Sequence, residues 1–190
     1  IVLPSNATDA KGLLKAAIRS EDPVLFLEHK ALYRAAAARY PEPHPEYLLP
    51  FGKASLAREG TDLTVVTYGM MVHRSLEAAR ILEGEMGVQV EVIDLRTLRP
   101  LDMDTVLTSV RKTNRIVTIE EGWPVCSIGS ELCAYVTAHA FDYLDAPPLK
   151  ITGADAPMPY AANLEKLASL DVRMVYPGHG PPFRDMHKAL

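Results

Sequence analysis

Residues 63–94, LTVVTYGMMVHRSLEAARILEGEMGVQVEVID, carry the clearest structural pattern of the chain. Their two ends, LTVVTY (63–68) and VQVEVID (88–94), are rich in β-branched residues, which predicts strands. Between them apolar residues recur at helical spacing and predict a helix over about 72–85, with one face formed by Val72, Leu76, Ala79 and Leu82. Two strands joined by a helix form the unit of a parallel sheet.

The same alternation continues towards the C-terminus. Pro100 and Asp102 introduce a helix whose apolar positions are Val106, Leu107 and Val110. A strand, RIVTIE (115–120), is followed by a helix near 130–143 and by a last strand, LKITG (149–153). Four strands separated by helices, with connections too long for hairpins, predict a parallel or mostly parallel α/β sheet.

The N-terminal part contains a second, shorter pattern of this kind. Ile1-Val2-Leu3 is strand-like, Thr8 is a candidate N-cap for a helix over 9–19, and VLFL (24–27) is typical of a buried strand. The segment PEPHPEYLLP (41–50) then holds four prolines, which exclude both a helix and a central strand. We interpret it as an extended linker, with a domain boundary near residue 50.

Composition sets limits on the class of protein. The 190 residues are 48% apolar and 23% charged, which is ordinary for a globular protein, and a net charge of −4 gives no basic face for nucleic acid. No apolar run approaches the roughly 20 residues that a membrane helix needs. Cys126 and Cys133 form neither a CxxC motif nor a disulfide framework, so we expect reduced thiols. The opening IVLPSNATDAKGLL has neither an initiator methionine nor a leader, and we expect a chain cut from a longer one.

Four long motifs carry a resemblance to a known family. They are DAKGLLKAAIRSEDPVLFLEHKALY (9–33), GKASLAREGTDLTVVTYGMMVHRSLEAA (52–79), EVIDLRTLRPLDMDTVLTSVRKTNRIVTIEEGW (91–123) and FDYLDAPPLKITGADAPMPYA (141–161). Together they closely resemble the β subunit of thiamine-diphosphate-dependent 2-oxoacid dehydrogenases, and most of all the pyruvate-type β subunits. The resemblance covers residues 1 to about 168.

The resemblance implies a domain organisation. Residues 1–40 are similar to the end of the pyrimidine-binding domain of this family, and 41–60 correspond to a proline-rich linker. Residues 61–163 are similar to the transketolase C-terminal domain, which has a mostly parallel sheet. Residues 164–190 form an atypical tail.

The resemblance also implies which functional groups to expect. The family's cofactor-activating glutamate and active-site histidine correspond to the stretch before residue 1, and the site for the diphosphate and magnesium belongs to the partner α subunit. We therefore expect no catalytic residue and no cofactor-binding residue in this chain, and no activity of the chain alone. A carboxylate at the pyrimidine ring is needed for the proton relay that activates the cofactor.

One ligand site of the family does carry over. In pyruvate-type β subunits a potassium ion lies at a helix end that corresponds to AIRSEDP (17–23). The resemblance implies two backbone carbonyls, from Ala17 and Ile18, and further oxygens from Ser20 and Asp22. The last carbonyls of a helix lack internal partners and carry partial negative charge, so they attract a cation. Ser20 and Asp22 replace an aspartate and an asparagine of other members, which moves the carboxylate.

Several other residues have a chemical and a structural interpretation, and we favour the structural one. Glu120 and Glu121 are adjacent in a strand, so they point to opposite faces and cannot act as a pair. His73 begins a helix after a strand, where α/β sheets bind ligands, but an interface or capping role is favoured. Trp123-Pro124 is interpreted as a rigid loop contact and Met70-Met71 as packing.

The tail contains PGHG (177–180), which resembles the late segment of metallo-β-lactamase-fold hydrolases. Those enzymes need an HxHxDH motif upstream, and none of the six histidines of this chain belongs to an HxH. One imidazole does not make a zinc site of three or four ligands. Asp185 and His187 lie beyond a rigid Pro181-Pro182 pair, so we expect His179 to bind no metal.

The resemblance implies oxidative decarboxylation of pyruvate, with acyl transfer to a lipoyl group, by an assembly that holds thiamine diphosphate and magnesium. The implied partners are an α subunit, a second β subunit and the lipoyl acyltransferase, in the bacterial cytoplasm or the mitochondrial matrix. A branched-chain 2-oxoacid stays open as the substrate, because LYRAAA (32–37) resembles branched-chain β subunits. A non-catalytic assembly module is a further alternative, and the tail alone favours a metallohydrolase.

Overall fold

A computed structural model describes residues 1–153 of the chain. The PGHG tail with His179 therefore lies outside the described residues. Nine helices and strands of regular type follow one another in these residues: α1 (Ala7–Arg19), β1 (Ser55–Arg58), β2 (Leu63–Thr67), α2 (Met70–Met86), β3 (Val90–Asp94), α3 (Met103–Thr113), β4 (Ile116–Ile119), α4 (Ile128–Ala140) and β5 (Leu149–Ile151). Short 3-10 helices cover Lys30–Arg34, Ala36–Ala38 and Phe141–Tyr143.

The five strands form one sheet in the order β1-β3-β2-β4-β5. β2, β3, β4 and β5 run parallel, and β1 pairs with β3 in the antiparallel sense. The predicted mostly parallel α/β sheet is thereby confirmed. The sequence predicted the four parallel strands but not β1, which lies inside the range 41–60 that we interpreted as a linker.

Helices cover both faces of the sheet. On one face α2 packs its buried Ala79 against valines of the two central strands, Val65, Val90 and Val92. On the other face α3 and α4 pack against Val66 and Ile93 through Val106, Leu107, Val110, Leu132, Val136 and Ala140. Both central strands are buried on their two faces, because adjacent apolar residues, Val65 and Val66 in β2 and Val92 and Ile93 in β3, serve one face each; in β3 the buried Glu91 also lies between Val90 and Val92.

Local signals explain where the central helices begin and end. The Asp102 side chain accepts a hydrogen bond from the Thr105 N–H and caps α3, as predicted. α2 ends at Gly87, which adopts φ 70°, a left-handed conformation that glycine takes without steric cost. The end of α2 at Gly87 fixes the length of the connection that leads into β3. The start of α3 at Asp102 fixes the length of the connection that leaves β3.

Two predictions for the N-terminal part are wrong. The N-cap of α1 is Asn6, whose side chain accepts from the Asp9 N–H, whereas Thr8 donates its hydroxyl to the Pro41 carbonyl. Residues 24–27 are not a buried strand: Phe26 forms a single bridge with Val2, and Leu25 is 63% exposed. Within residues 1–153 this segment forms no strand pairing beyond that bridge. Leu25 and Leu27 stay exposed, whereas Val24 and Phe26 pack partly against the small core around Leu13.

Residues 41–50 contain no helix or strand, as the four prolines predict. They nevertheless pack along α1: the Leu49 N–H donates to the Gly12 carbonyl at 3.3 Å, and Lys11 pairs with Glu42 at 2.7 Å. Buried Leu49 also joins Val2 and Leu13 in a small core of its own. The N-terminal segment, residues 1–49, thus has apolar packing separate from the main sheet.

No helix among residues 1–153 combines the length and the apolar character that crossing a membrane requires.

Candidate functional site at the carboxyl edge of the sheet

The carboxyl ends of the parallel strands gather most of the buried polar chemistry. β3 ends at Asp94, β2 is followed by Tyr68, and β4 is followed by Glu120. Ligands of open α/β sheets bind at this edge, so these side chains are the first candidates for a functional site. They fall into two groups, which we call the junction cluster and the Glu120 cluster.

The junction cluster consists of Ser5, Asn6, Asp9, Asp94 and Arg96. The Ser5 hydroxyl donates to Asp94 Oδ2 at 2.5 Å, and the Arg96 backbone N–H donates to Asp94 Oδ1 at 3.0 Å. Arg96 Nε donates to Asp9 Oδ2 at 2.7 Å, and Asn6 Nδ2 donates to the same oxygen at 2.8 Å. The cluster therefore joins the N-terminal segment to the end of β3.

Burial changes the acidity of one member of this cluster. Asp94 is only 2% exposed, and burial raises the pKa of its carboxyl to about 6. The hydrogen bonds from Ser5 and from the Arg96 N–H lower that pKa in part, and the nearby Asp9 carboxylate raises it again. The Asp94 side chain therefore titrates close to neutral pH.

His73 lies beside the junction cluster. Its Nε2 is 2.7 Å from the Ser5 carbonyl oxygen, which makes it a donor to the N-terminal segment from the first turn of α2. This contact lies within the chain, so the expected role of His73 at a subunit interface stays a prediction. Gly69, just before α2, has φ 58°, and a Cβ there would lie 2.4 Å from Leu3, so glycine allows the same segment to approach.

The Glu120 cluster consists of Tyr68, Glu120 and Gly129. The Tyr68 hydroxyl donates to Glu120 Oε2 at 2.9 Å, and the Gly129 N–H donates to Glu120 Oε1 at 2.9 Å. Burial raises the pKa of Tyr68, and the Glu120 carboxylate raises it further. Because Gly129 lies in the first turn of α4, the carboxylate also faces the positive end of that helix.

Glu121 has a different hydrogen-bond partner from Glu120, although its charge also contributes to raising the pKa of Tyr68. It pairs with His29 of the N-terminal segment, with 3.1 Å between His29 Nε2 and Glu121 Oε2. Both cysteines are free: Cys126 is exposed, and burial raises the pKa of the Cys133 thiol. A raised thiol pKa lowers the thiolate fraction, so Cys133 is not set up as a nucleophile.

Every buried carboxylate among residues 1–153 is bonded within the protein. Asp9, Asp94 and Glu120 are bonded as described above. Glu91 accepts from Gly60 N–H and Lys112, and Asp102 accepts from Ala54 N–H and Thr105. The described residues also contain no group of three His, Cys, Asp or Glu side chains that could hold a metal ion. This arrangement of buried carboxylates can fix the fold and the junction between the N-terminal segment and the sheet.

The four candidate potassium ligands lie at the C-terminal end of α1 and just beyond it. The Ala17 carbonyl accepts the Ser20 N–H at 3.3 Å, and the Ser20 hydroxyl oxygen accepts the Asp22 N–H at 3.2 Å. Ile18 is 76% exposed. The set consists of oxygen donors only, which suits a hard cation, and each carbonyl or hydroxyl oxygen has a second acceptor position.

Sequence reasoning missed the junction cluster. Ser5 and Asp94 are 89 positions apart, and Asp9 and Arg96 are 87 apart, so no local spacing indicates that they meet. The available signal was the position of Asp94 and Arg96 directly after a buried strand, where polar residues of α/β sheets cluster.

Comparisons with known proteins identify the architecture. The family model described as "Transketolase, C-terminal domain" matches residues 52–175, more than half of the chain. A solved structure described as "Split gene transketolase, inactive beta4 tetramer" matches with a TM-score of 0.66 at 28% identity, over 87% of this chain and 51% of that one.

Curated relatives are similar over most of the chain. The pyruvate dehydrogenase E1 component subunit beta of Rhizobium meliloti (strain 1021) is 52% identical over 92% of this chain and 37% of that protein. The mitochondrial subunits beta of Dictyostelium discoideum and Homo sapiens are both 48% identical, over 92% and 87% of this chain and 49% and 46% of those proteins. This chain thus spans less than half the length of these relatives, and it belongs to the transketolase C-terminal domain family.

Proposed function

We propose that this chain serves as part of the β subunit of a pyruvate dehydrogenase, a thiamine-diphosphate-dependent enzyme that also contains an α subunit. The observation that carries the proposal is the 52% identity, over 92% of the chain, to a protein named as that subunit. In the assembly the second β subunit and the lipoyl acyltransferase are further partners. The assembly works in the bacterial cytoplasm or the mitochondrial matrix.

The role of the described residues in that assembly is structural. Thiamine diphosphate, when bound with magnesium, supplies the carbanion that attacks the 2-oxoacid. The buried carboxylates Asp9, Asp94 and Glu120 are each held by donors from within the chain, so we assign none of them to the cofactor. What these residues offer instead is a docked N-terminal segment and exposed apolar side chains such as Leu25 and Trp123, which are 63% and 59% exposed. Such side chains suit subunit contacts.

We extend the proposal to potassium, held by the carbonyls of Ala17 and Ile18 together with Ser20 and Asp22. The support is the all-oxygen donor set at a helix C-terminus, where the partial negative charge favours a cation. The ion would hold the turn that follows α1 in one conformation.

A chimeric subunit tests the substrate. The matching residues of the Rhizobium meliloti β subunit are replaced by residues 1–153 of this chain, and the product is assembled with a pyruvate dehydrogenase α subunit. We expect oxidation of pyruvate within about tenfold of the parent rate, because the exchanged part shapes the scaffold rather than the reacting centre. A parallel assay with a branched-chain 2-oxoacid addresses the alternative that LYRAAA suggests.

Two controls accompany the chimera. The 190-residue chain alone should bind thiamine diphosphate and magnesium negligibly in a calorimetric titration, and micromolar binding would show that the structural role is wrong. A chimera that assembles but prefers the branched-chain substrate would reject pyruvate. One that folds but does not join the α subunit would reject the β-subunit proposal itself.

A further inference from the structure

The junction cluster is buried and contains more negatively charged side chains than positively charged ones. The carboxylates of Asp9 and Asp94 are 2% exposed each, and a single guanidinium, that of Arg96, lies between them. Arg96 Nε is bonded to Asp9, so Asp94 receives only a backbone N–H and the Ser5 hydroxyl. A buried carboxylate whose partners are neutral is costly to ionise.

The same cluster determines how the N-terminal segment is attached to the sheet. The Leu3 N–H donates to the Arg96 carbonyl at 2.9 Å, and the Leu98 N–H donates to the Ile1 carbonyl at 2.9 Å. Arg96 adopts φ 59°, an uncommon conformation for a residue with a side chain, which presents its backbone and its guanidinium to the segment together. Any change in the charge of Asp94 therefore acts on the contact between the two parts of the chain.

We propose that Asp94 is a pH-sensitive latch between residues 1–49 and the sheet: the protonated carboxyl holds the segment closed, and ionisation loosens it. With its proton, Asp94 donates to the Ser5 hydroxyl oxygen and leaves one carboxylate facing one guanidinium. Without its proton, Asp94 carries a buried charge that the Arg96 guanidinium, bonded to Asp9, offsets only in part. Ser5 and Asn6 also line a cavity of about 370 Å³, which gives water a route to the Ser5 side of the latch.

Each element that packs against Asp94 contributes a polar or charged neighbour. α1 contributes Asp9, the loop after β3 contributes Arg96, and α2 contributes His73 through the Ser5 carbonyl. The register neighbours on β1 and β2 are Ser55 and Thr67, which do not titrate in this range. Imidazole side chains as a class change charge in the neutral range, so the experiment must separate His73, which lies beside the latch, from Asp94.

The direction of the effect follows from the pKa of Asp94. Its value rises from 3.8 to about 6 in the folded chain, so the stabilisation is fully present below 3.8 and is lost as the pH rises through 6. We therefore expect the segment to open about tenfold more often at pH 8 than at pH 5. Hydrogen exchange on the full 190-residue chain, corrected for intrinsic rates, measures this opening at the amides of Leu3 and Leu98. The amide of Val92, inside β3, is the internal reference.

Two matched variants assign the effect. Asp94→Asn keeps the shape and removes the titration, so the opening of Leu3 and Leu98 should become independent of pH between 5 and 8. His73→Gln keeps a donor towards Ser5, and the tenfold dependence of the wild type should persist. If Asp94→Asn retains the dependence, or His73→Gln abolishes it, the latch is not Asp94.

If Asp94→Asn does not fold, a direct titration of Asp94 in the wild-type chain still tests the proposal. The side-chain carboxyl carbon of Asp94 is followed by NMR in the wild-type chain, with selective labelling of aspartate. We expect a midpoint near pH 6. A midpoint below about 4.5, close to the value of an exposed aspartate, would overturn the proposal.

Discussion

Gly129 is the residue at which the Glu120 cluster leaves no room for a side chain. A Cβ at this position would lie 2.6 Å from Glu120 Oε1 and 2.6 Å from Thr118 Oγ1. Gly129→Ala should therefore displace the carboxylate from both the Gly129 N–H and the Tyr68 hydroxyl. We expect a loss of about 1–3 kcal/mol in the free energy of unfolding, measured by urea denaturation.

Gly84 provides the matched control, because it also lies in a helix but has nothing within 4 Å of its added Cβ. Gly84→Ala should raise the free energy of unfolding by about 0.5–1 kcal/mol, the ordinary gain from alanine in a helix. If both substitutions stabilise the chain, the bond between Glu120 and the start of α4 does not contribute as we infer.

Glu120, Glu121 and the N-cap of α1 show how far a sequence can predict a site. The sequence predicted that Glu120 and Glu121 act separately because adjacent strand residues point to opposite faces. The two side chains do have different partners, but β4 ends at Ile119, so both glutamates lie in the loop and strand geometry is not the reason. The partner of Glu120 could not be predicted, because Tyr68 lies 52 positions away, directly after another strand. The N-cap of α1 shows a different limit: Asn6 and Thr8 are both capping residues two positions apart, and only the contact of Thr8 with Pro41 decides between them.

At the scale of single elements, the end of α1 allows a test of potassium binding. Replacing potassium by a large organic cation at equal ionic strength should lower the melting temperature of the wild type by a few degrees, since a ligand stabilises only the state that binds it. At tenfold its dissociation constant potassium would contribute about 1.4 kcal/mol. Asp22→Ala should abolish this response.

Glu21→Ala is the control for that experiment, because Glu21 is an equally exposed acid next to the site and is not among the four proposed ligands. It should respond to potassium as the wild type does. An equal response in all three proteins would reject Asp22 as a ligand, and no response in any of them would reject the site.

The sequence predicted some helices and strands better than others, and the reason is physical. α3 and the central strands carry their own signals, since Asp102 caps the helix and Val106 and Val110 repeat at helical spacing. β1 has only four residues, two of them exposed, and its strand conformation depends on pairing with β3. Residues 24–27 present the opposite situation: their apolar run is typical of a buried strand, but among the described residues only Val2 pairs with them. Strand formation at the margin of a sheet depends on the neighbour more than on the segment itself.

At the scale of the whole molecule, two separate regions expose apolar side chains. One is the N-terminal segment, with Leu25 at 63%, Leu27 at 43% and Tyr33 at 67% exposure. The other we call the outer-edge strip: the exposed apolar residues of β5 and of the loop after β4, which are Trp123, Val125, Leu149 and Ile151. The loop is tied to β5, because the Gly153 N–H donates to the Gly122 carbonyl at 2.9 Å. Exposed apolar side chains grouped in this way mark interaction surfaces.

From these surfaces we expect the 190-residue chain to self-associate. Sedimentation velocity at micromolar concentration should show dimers or larger species whose share grows with concentration, because burying apolar side chains stabilises by about 25 cal/mol per Å². A monomer at all concentrations would contradict it.

Single substitutions then show which region mediates the association. Leu27→Glu places a charge in the N-terminal segment, and Ile151→Glu places one in the outer-edge strip, where the side chain is 47% exposed. The substitution that lies in the contacting region should raise the dissociation constant of the associated species at least about tenfold and so favour the monomer, since a buried unpaired charge is costly. Glu85→Lys, at an exposed position of α2, should leave the distribution unchanged.

If Leu27→Glu alone has the effect, the contact involves the segment that the junction cluster attaches, and association should then also weaken as the pH rises through 6. If Ile151→Glu alone has the effect, association and the state of Asp94 should be independent.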